Sequence, residues 1–310
     1  MWNIVGYKNV FLVFSAILVG ASIIAVGLFG FKEGIEFSGG TLWQFKLAGN
    51  NRVAINEVED VLKNKLKIED VHVGFDEVNN TYLARIPAHD GKTSTEADHQ
   101  EYLRLMKGTY PTLEELSFQS IGPSIGSELK KNALMAIVFV LVGISFYIAY
   151  AFRRVSRPIS SWKYGWITLL TLFHDIALPA GLLAILGHYM GVEIDGNFIV
   201  ALLVVAGFSV HDTIVVFDRI RENLSLDRGK TDFSKLINDS VNQSLARSIN
   251  TSLTLILVLI ALYIVGPVAL HYFVLTLLVG VTTGIYSSIF VASPTLIAVS
   301  PKAVKGHKKT

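Results

Sequence analysis

The sequence predicts an α-helical polytopic membrane protein with six transmembrane helices and one inserted α+β domain. Its 310 residues are 51% hydrophobic, and the mean hydropathy is +0.48. Only 17% of the residues are charged, whereas a soluble domain usually carries about a quarter. The charges are clustered, and the uncharged runs between them reach the roughly 20 residues that a helix needs to cross a bilayer core of about 30 Å.

The charge balance and the absence of cysteine exclude several classes of function. The formal net charge is +2, which is too small to indicate a nucleic-acid partner. The chain contains no Cys, so disulfides, thiolate metal sites and cysteine nucleophiles are excluded.

Residues 1–31 are predicted to form the N-terminus and the first transmembrane helix, because segment 9–31 is uncharged between Lys8 and Lys32. A cleaved signal peptide is the alternative interpretation. Its apolar core would span about 7–15 residues and precede small residues at a cleavage site. This run is longer and ends in Leu-Phe-Gly-Phe, so we expect a retained helix.

Five further helices are predicted within residues 128–301. No Asp, Glu, Lys or Arg occurs from Ser248 to Pro301, a run about twice as long as one membrane helix. Gly266-Pro267 divides it, because Pro lacks an N–H and Gly is conformationally permissive. The predicted spans are residues 132–152, 166–189, 197–217, 248–265 and 270–296.

The distribution of Lys and Arg predicts the orientation. Basic residues without acidic ones occupy the connection 153–165 and the tail 302–310, whereas the connection between the third and fourth spans carries Glu193 and Asp195. Both termini, the basic tail 302–310 and the connecting loops 153–165 and 218–247 are therefore expected to be cytoplasmic. Domain 32–127 is expected to be extracytoplasmic.

Residues 32–127 show the alternation of a globular domain. Trp43, Phe45 and Leu47 alternate with polar residues as in a strand, and Val58 and Leu62 share one helical face. Further strands are expected after the first helix, on both sides of a hairpin at Asn79-Asn80, and from 116 to 121. With a second amphipathic helix around 102–106, the order is βαββαβ, the ferredoxin-like arrangement.

This domain offers no apparent catalytic motif. Gly39-Gly40 is interpreted as a turn, because no GK[ST] follows to complete a phosphate-binding loop. His72, His89 and His99 are expected on the solvated surface. The domain is interpreted as a contact or gating module.

Ionisable side chains within the spans are the strongest functional candidates, because they are costly in a bilayer. Asp175 lies near the middle of the third span, Asp212 lies in the fourth, and Arg247 opens the fifth. The sequence predicts that Asp212 and Arg247 approach each other. Burial favours a neutral carboxyl group and a neighbouring Arg favours the charged form, so protonation of Asp212 would release the pair and let the helices rearrange. Asp175 is the weaker candidate.

Several alternatives stay open at this point. The ionisable residues can simply hold helices together. His174 and His211 precede the two Asp residues and suggest a metal site, although adjacent helical residues do not share a face. Ser209, His211 and Asp212 provide the residue types of a hydrolase, but no G-x-S-x-G turn supports one.

Four segments resemble the SecF branch of the SecD/SecF family of protein-export membrane proteins, within the RND superfamily. Residues 207–223 (GFSVHDTIVVFDRIREN) are similar to the family's most specific motif, GYSLNDTVVVFDRIREN. Residues 34–41 (GIEFSGGT) resemble its GIDFTGGT signature. The others are residues 121–129 (IGPSIGSEL) and 246–252 (ARSINTS), and His174-Asp175 matches the family's HD pair.

The resemblance implies an accessory subunit of bacterial protein export that occupies the cytoplasmic membrane as one half of an RND-like unit. It implies pairing with SecD, association with the SecYEG channel and YajC, and action on the unfolded polypeptide after the SecA step. The proton-motive force would drive it without an enzymatic activity or a cofactor, although Na⁺ remains open. Asp212 and Arg247 match the family's relay positions, and His211, where Asn is usual, and Thr213 are expected to tune the relay. A small-molecule or lipid exporter and a passive scaffold are the alternatives.

Overall fold

The computed structural model describes residues 2–47, 53–66, 68, 71–76, 80–88, 93–152, 159–227 and 230–300. The predicted basic tail 302–310, the arginines of connection 153–165, His89 and Asn79 lie outside the described residues. The elements are, in chain order, α1 (Lys8–Phe29), α2 (Ile35–Ser38), β1 (Gly40–Leu47), α3 (Ile55–Leu66), β2 (His72–Asp76), β3 (Thr81–Ile86), α4 (Glu96–Thr109), β4 (Leu113–Ile121), α5 (Pro123–Ala151), α6 (Ser161–Met190), α7 (Gly196–Asp227), α8 (Phe233–Val265), α9 (His271–Ser287) and α10 (Ser293–Ala298).

Two compact units share these elements. The membrane unit comprises Met1–Lys32, Ala136–Val192 and Asn197–Thr310. The external unit, named for its predicted location, comprises Glu33–Met135 and Glu193–Gly196.

Six helical segments of the described chain are long and apolar enough to cross a membrane, in agreement with the six that were predicted. They are α1 with the turn before it, α5, α6, α7, α8 and the segment His271–Ala298. This last segment is not a uniform helix, because a π-helical turn, Ser288–Ala292, joins α9 to α10. Nothing in the sequence pattern predicted that turn.

The predicted connection 218–247 is largely helical, because helix α7 continues to Asp227 and α8 already begins at Phe233. Hydropathy marks the apolar part of a helix, whereas helical hydrogen bonding continues into the polar part. The side chain of Asp232 caps α8 by accepting from the backbone N–H groups of Ser234 and Lys235. Arg219 also donates to Gln243 Oε1 at 2.7 Å, which holds the two polar helix ends together.

The external unit is built on a four-stranded antiparallel sheet in the order β2-β3-β1-β4. The alternation predicted for β1 is present, since Trp43, Phe45 and Leu47 are buried. Helix α3 contributes Val58 and Leu62 to the same core, and α4 contributes Met106. Strand β4 begins at Leu113, three residues before the predicted start, because it continues past a bulge in β1 between Gln44 and Phe45.

The Gly39-Gly40 pair is a point of close backbone packing. Both residues have positive φ, 76° and 131°, which L side chains rarely adopt. A Cβ on Gly39 would lie 2.8 Å from Pro123 Cα, and one on Gly40 would lie 2.8 Å from the Ile86 carbonyl oxygen. The pair therefore serves backbone packing and is not exposed for phosphate binding.

The short connection between α6 and α7 belongs to the external unit. The Gly34 N–H donates to the Ile194 carbonyl at 2.9 Å. Arg85 Nε lies 2.8 Å from Glu193 Oε2. Glu36 accepts from the N–H of Gly196, the first residue of α7, at 2.6 Å. Together these bonds fix the point at which α7 starts.

His99 is not the solvated residue that the sequence suggested. Its side chain is 12% exposed, and Nε2 lies 2.8 Å from Glu115 Oε2, which also accepts from Trp43 Nε1 at 2.8 Å. The ring stacks on Phe118, with centroids 4.0 Å apart. His72, with 76% of its side chain exposed, is at the surface as expected.

Helix α4 generates a testable pH dependence through its N-terminal cap. Thr95 and Asp98 form a capping box, and the bonds from the Thr95 backbone N–H and hydroxyl hold the pKa of Asp98 below its usual range. A carboxyl group with a lowered pKa in the folded state contributes stability above its unfolded pKa, about 3.9, and loses it as the pH falls through the folded value. Asp98→Asn should therefore cost about 0.5–1 kcal/mol near pH 7 and much less below about pH 3.

Amide hydrogen exchange of α4 in the full chain would measure this difference as protection factors at both pH values. Glu101→Gln, at an exposed position of the same helix, is the control and should change little. Equal losses for Asp98→Asn at both pH values would contradict the capping account.

Candidate functional site in the membrane unit

A set of small polar side chains is buried among the helices of the membrane unit. Helical spacing explains how each helix presents them, because residues three or four apart share a face. Helix α7 contributes Ser209, Asp212 and Thr213, at spacings of i, i+3 and i+4. The buried members are Thr168, Thr171, His174 and Asp175 of α6, Ser209, Asp212 and Thr213 of α7, Ser244, Ser248 and Ser252 of α8, and Ser287 and Ser288 at the end of α9.

Asp175 is fully buried and fully hydrogen bonded. Its Oδ2 atom accepts from the hydroxyl of Ser209 at 2.5 Å and from that of Ser287 at 2.7 Å. Its Oδ1 atom lies 2.8 Å from His174 Nδ1. One carboxyl group thus joins α6, α7 and α9.

The neighbouring imidazole is only half satisfied. Nε2 of His174 is buried and has no hydrogen-bond partner among the described residues. The ring lies against that of Tyr286, with centroids 6.1 Å apart. The Tyr286 hydroxyl accepts from Ser15 at 3.1 Å and donates to the Phe11 carbonyl at 3.2 Å, which connects this cluster to α1.

Asp212 is buried to a similar extent but has a different environment. Only 5% of the residue is exposed, and its Oδ2 atom has no hydrogen-bond partner in the described part of the chain. The hydroxyls of Ser248 and Ser288 lie beside the carboxyl group, and His211 and Asp175 are close enough to act on it electrostatically. A buried carboxyl oxygen without a donor is costly when charged. Asp212 is therefore the carboxyl group that can accept a proton without giving up an existing bond.

Arg247 does not approach Asp212 as the sequence predicted. Its side chain is exposed, and no ion pair joins the two residues within the described ranges. The direction of the side chain explains this, because adjacent residues of a helix point about 100° apart. Ser244, Ser248 and Ser252 form the buried face of α8, which turns Arg247 outward. The prediction rested on the position of Arg247 along the helix axis and not on the face of α8 from which its side chain projects.

The two residues expected to tune Asp212 differ in position. Thr213 is buried, and its Oγ1 atom lies 2.9 Å from Ser288 Oγ. His211 is exposed on α7. The Ser209 hydroxyl donates to Asp175, and no bond to His211 occurs among those of the described chain, so the three residue types of the hydrolase alternative are not joined into a triad here.

Three serines of this site were missed at the sequence level. Ser287 and Ser288 occur in a long uncharged run and have no charged neighbour to mark them. Ser248 could have been found from the four-residue repeat of Ser244, Ser248 and Ser252, which indicates a polar stripe on one helical face. No group of three His, Cys, Asp or Glu side chains in the described ranges is placed to bind a metal.

Comparison with known proteins gives a consistent result over nearly the whole chain. Residues 101–302 match the model of the family described as protein export membrane protein SecD/SecF, C-terminal. The chain is 40% identical over 306 residues to protein translocase subunit SecF of Thermobaculum terrenum, covering 96% of this chain and 94% of that protein. It is 37% identical to the SecF subunit of Anaerolinea thermophila, with the same coverage.

Longer proteins match as well. The chain is 30% identical to protein translocase subunit SecDF of Bacillus subtilis, covering 98% of this chain and 39% of that protein. The crystal structure of SecDF from Thermus thermophilus, described as a translocon-associated membrane protein, superposes with a TM-score of 0.80 at 30% identity. This chain spans 39% of that structure's chain.

The contrast between the two carboxyl groups predicts different costs of removal. Asp175→Ala should lower the free energy of unfolding by about 1–3 kcal/mol, because it leaves the buried Ser209 hydroxyl without its acceptor and His174 Nδ1 without its partner. Asp212→Ala removes a carboxyl group whose Oδ2 atom has no partner in the described part of the chain, so its cost should be smaller. Denaturant titration of the full chain in detergent micelles measures both. An equal or larger loss for Asp212→Ala would contradict this description of the site.

Proposed function

This chain belongs to the SecD/SecF family of protein-export membrane proteins, and from that membership we propose that it acts as a SecF-type subunit which uses the proton-motive force to assist translocation. Its relatives are named translocase subunits, which supports a role in protein export. The names of the relatives do not mention protons, so the proposal of proton coupling is argued from the residues of this chain. The observation that carries it is the buried, incompletely bonded carboxyl group of Asp212.

The proposed cycle starts at this carboxyl group. A proton that reaches Asp212 neutralises a charge which the surrounding protein solvates poorly. The neutral carboxyl group then becomes a hydrogen-bond donor, and the hydroxyls of Ser248 and Ser288 stand beside it as acceptors. One elementary charge crossing the membrane supplies about 2.3 kcal/mol per 100 mV, which is enough to shift an equilibrium between two helix arrangements. Asp175 is proposed as a second, more firmly held member of the relay, with His211 and Thr213 as tuning residues.

The exposed Arg247 supports pairing with SecD. An Arg within a membrane helix is costly unless it meets a carboxylate, water or protein, and in this multi-pass membrane protein it faces outward with His211 exposed on α7. We therefore place the SecD contact on these faces of α7 and α8. The SecDF proteins of Bacillus subtilis and Thermus thermophilus, which join both names in one chain, support this pairing. In the complex, Arg247 is expected to meet a carboxylate of the partner.

The remaining assignments follow from the same proposal. The subunit would lie in the bacterial cytoplasmic membrane with both termini cytoplasmic and domain 32–127 outside, as the Lys and Arg distribution favours. It would associate with the SecYEG channel and YajC and act on a translocating polypeptide after SecA, without an enzymatic activity of its own. H⁺ is proposed as the coupling ion, with Na⁺ as the alternative that ion replacement would distinguish.

We also assign the external unit to the ferredoxin-like fold. Its elements follow in the order strand, helix, strand, strand, helix, strand. The sheet order β2-β3-β1-β4, with every neighbouring pair antiparallel, supports that assignment. The fold itself carries no function, and we propose that this unit contacts the emerging polypeptide.

The proton-coupling proposal predicts a selective defect in export. In sealed membrane vesicles, Asp212→Asn should reduce export under a proton gradient to the level without a gradient, because Asn cannot be protonated. ATP-driven export should persist. Asp218→Asn, an exposed position of the same helix, is the matched control and should keep the gradient stimulation. Full stimulation in Asp212→Asn, at equal insertion, would refute the proposed role.

The SecD proposal predicts that Arg247→Gln weakens the association of the two subunits. Buried Arg anchors at interfaces are typically worth more than about 1 kcal/mol, so the Kd should rise about 5- to 30-fold. Förster transfer between labelled subunits in liposomes measures it. Lys235→Gln, exposed on the same helix, should leave the Kd unchanged. If both variants bind alike, Arg247 lies outside the contact.

A further inference from the structure

Ser287 and Ser288 are consecutive residues that serve two different carboxyl groups. The Ser287 hydroxyl donates to Asp175 Oδ2 at 2.7 Å. Ser288 lies beside Asp212 and is 2.9 Å from Thr213 Oγ1. Both serines are completely buried.

This arrangement depends on the π-helical turn. Consecutive residues of an α-helix point about 100° apart and do not share a face. The π turn starts at Ser288, directly after Ser287, and such turns occur mostly as local insertions at functional sites. The change of helix type at this junction lets two adjacent hydroxyls reach the same polar interior.

Helix α7 contributes one hydroxyl side chain near each carboxyl group, at a fixed spacing. Ser209 donates to Asp175, and Thr213 contacts Ser288. Four residues separate Ser209 from Thr213, which corresponds to about 6 Å along the helix. The side chains of α7 that contact Asp175 and Ser288 are therefore about one helical turn apart.

Each serine has a choice of hydrogen-bond partner. A hydroxyl carries one proton and donates one bond at a time. Ser287 reaches Asp175 Oδ2 at 2.7 Å and, as a second acceptor, the Gly284 carbonyl at 3.1 Å. When Asp175 Oδ2 is protonated it becomes a donor, and Ser287 is free to turn to Gly284. Ser288 is engaged with Thr213 at 2.9 Å, and it lies beside Asp212, whose Oδ2 atom has no partner in the described part of the chain and could accept its hydroxyl instead.

We propose that Ser287 and Ser288 form a bridge that couples the protonation of Asp175 to that of Asp212. They are positioning residues, since the carboxyl groups carry the proton. Release of Ser287 from Asp175 loosens the first residues of the π turn, and that movement changes whether Ser288 bonds to Thr213 or donates to Asp212. The titratable side chains around the bridge are His174 on α6 and His211 on α7, and α8 contributes the hydroxyl of Ser248.

Infrared difference spectroscopy on the full chain in liposomes tests this coupling. The C=O band of protonated Asp175 is assigned by its loss in Asp175→Asn, and its intensity is followed against pH. When both serines are present, Asp212→Asn should displace the midpoint of the Asp175 titration. In the Ser287→Ala/Ser288→Ala background the displacement should fall by about half or more, with the direct electrostatic part remaining.

Ser293→Ala is the matched control. Ser293 is also fully buried, and its hydroxyl donates to the backbone carbonyl of Ser288 at 3.5 Å. This control should keep the wild-type displacement. If the double variant does not fold, Ser288→Ala alone leaves the Asp175 bonds intact and should reduce the displacement too.

The proposal is overturned if Asp212→Asn does not shift the midpoint of the Asp175 titration when both serines are present. It is also overturned if the serine variants keep the full shift, or if Ser293→Ala reduces the shift as much as they do. It rests on the proposed function only in treating Asp212 as the working carboxyl group. The infrared titration tests the coupling without measuring export, and the vesicle assay tests the export proposal. The two proposals can therefore fail independently.

Discussion

A carboxyl group withdrawn from water must be met by hydrogen-bond donors, and this requirement organises the membrane unit. Asp175 satisfies it with partners on three helices, because Ser209 on α7 and Ser287 on α9 donate to it and His174 Nδ1 on α6 lies 2.8 Å from its Oδ1 atom. Asp212 does not satisfy it, because one of its oxygens lacks a partner among the described residues. The same interior thus contains one carboxyl group bonded to side chains of α6, α7 and α9 and one with an unpartnered oxygen, and the proposed relay rests on that difference.

A second group of polar contacts lies within the external unit, which includes Gly196, the first residue of the helix that bears Asp212. The connection 193–196 belongs to that unit. There, Glu36 binds the first N–H of α7, and Arg85 pairs with Glu193. A carboxylate at a helix N-terminus is favourable both as a cap and by its charge. The signature 34–41 therefore acquires a physical role, since Glu36 serves as this cap and Gly39-Gly40 permits close packing against Pro123 and Ile86.

Much of this architecture could be predicted from sequence, because hydropathy and alternation reflect burial directly. The six long apolar helices and the buried face of β1 follow from that relation. The position of Arg247 did not, since depth along a helix says nothing about its face, and Ser248 occupies the inward direction. Helix ends were also missed, because α7 and α8 continue through charged residues that hydropathy excludes from the membrane. The π turn that begins at Ser288 has no local signature in the sequence.

The central claim is that Asp212 is the carboxyl group through which protons act. Its most direct test is proton entry into liposomes that contain the chain with its co-purified partner, followed with an internal pH-sensitive dye under an imposed gradient. The account predicts that the wild type and Asp218→Asn acidify the interior faster than empty liposomes, whereas Asp212→Asn does so at the rate of empty liposomes. Proton entry at the wild-type rate in Asp212→Asn would contradict it.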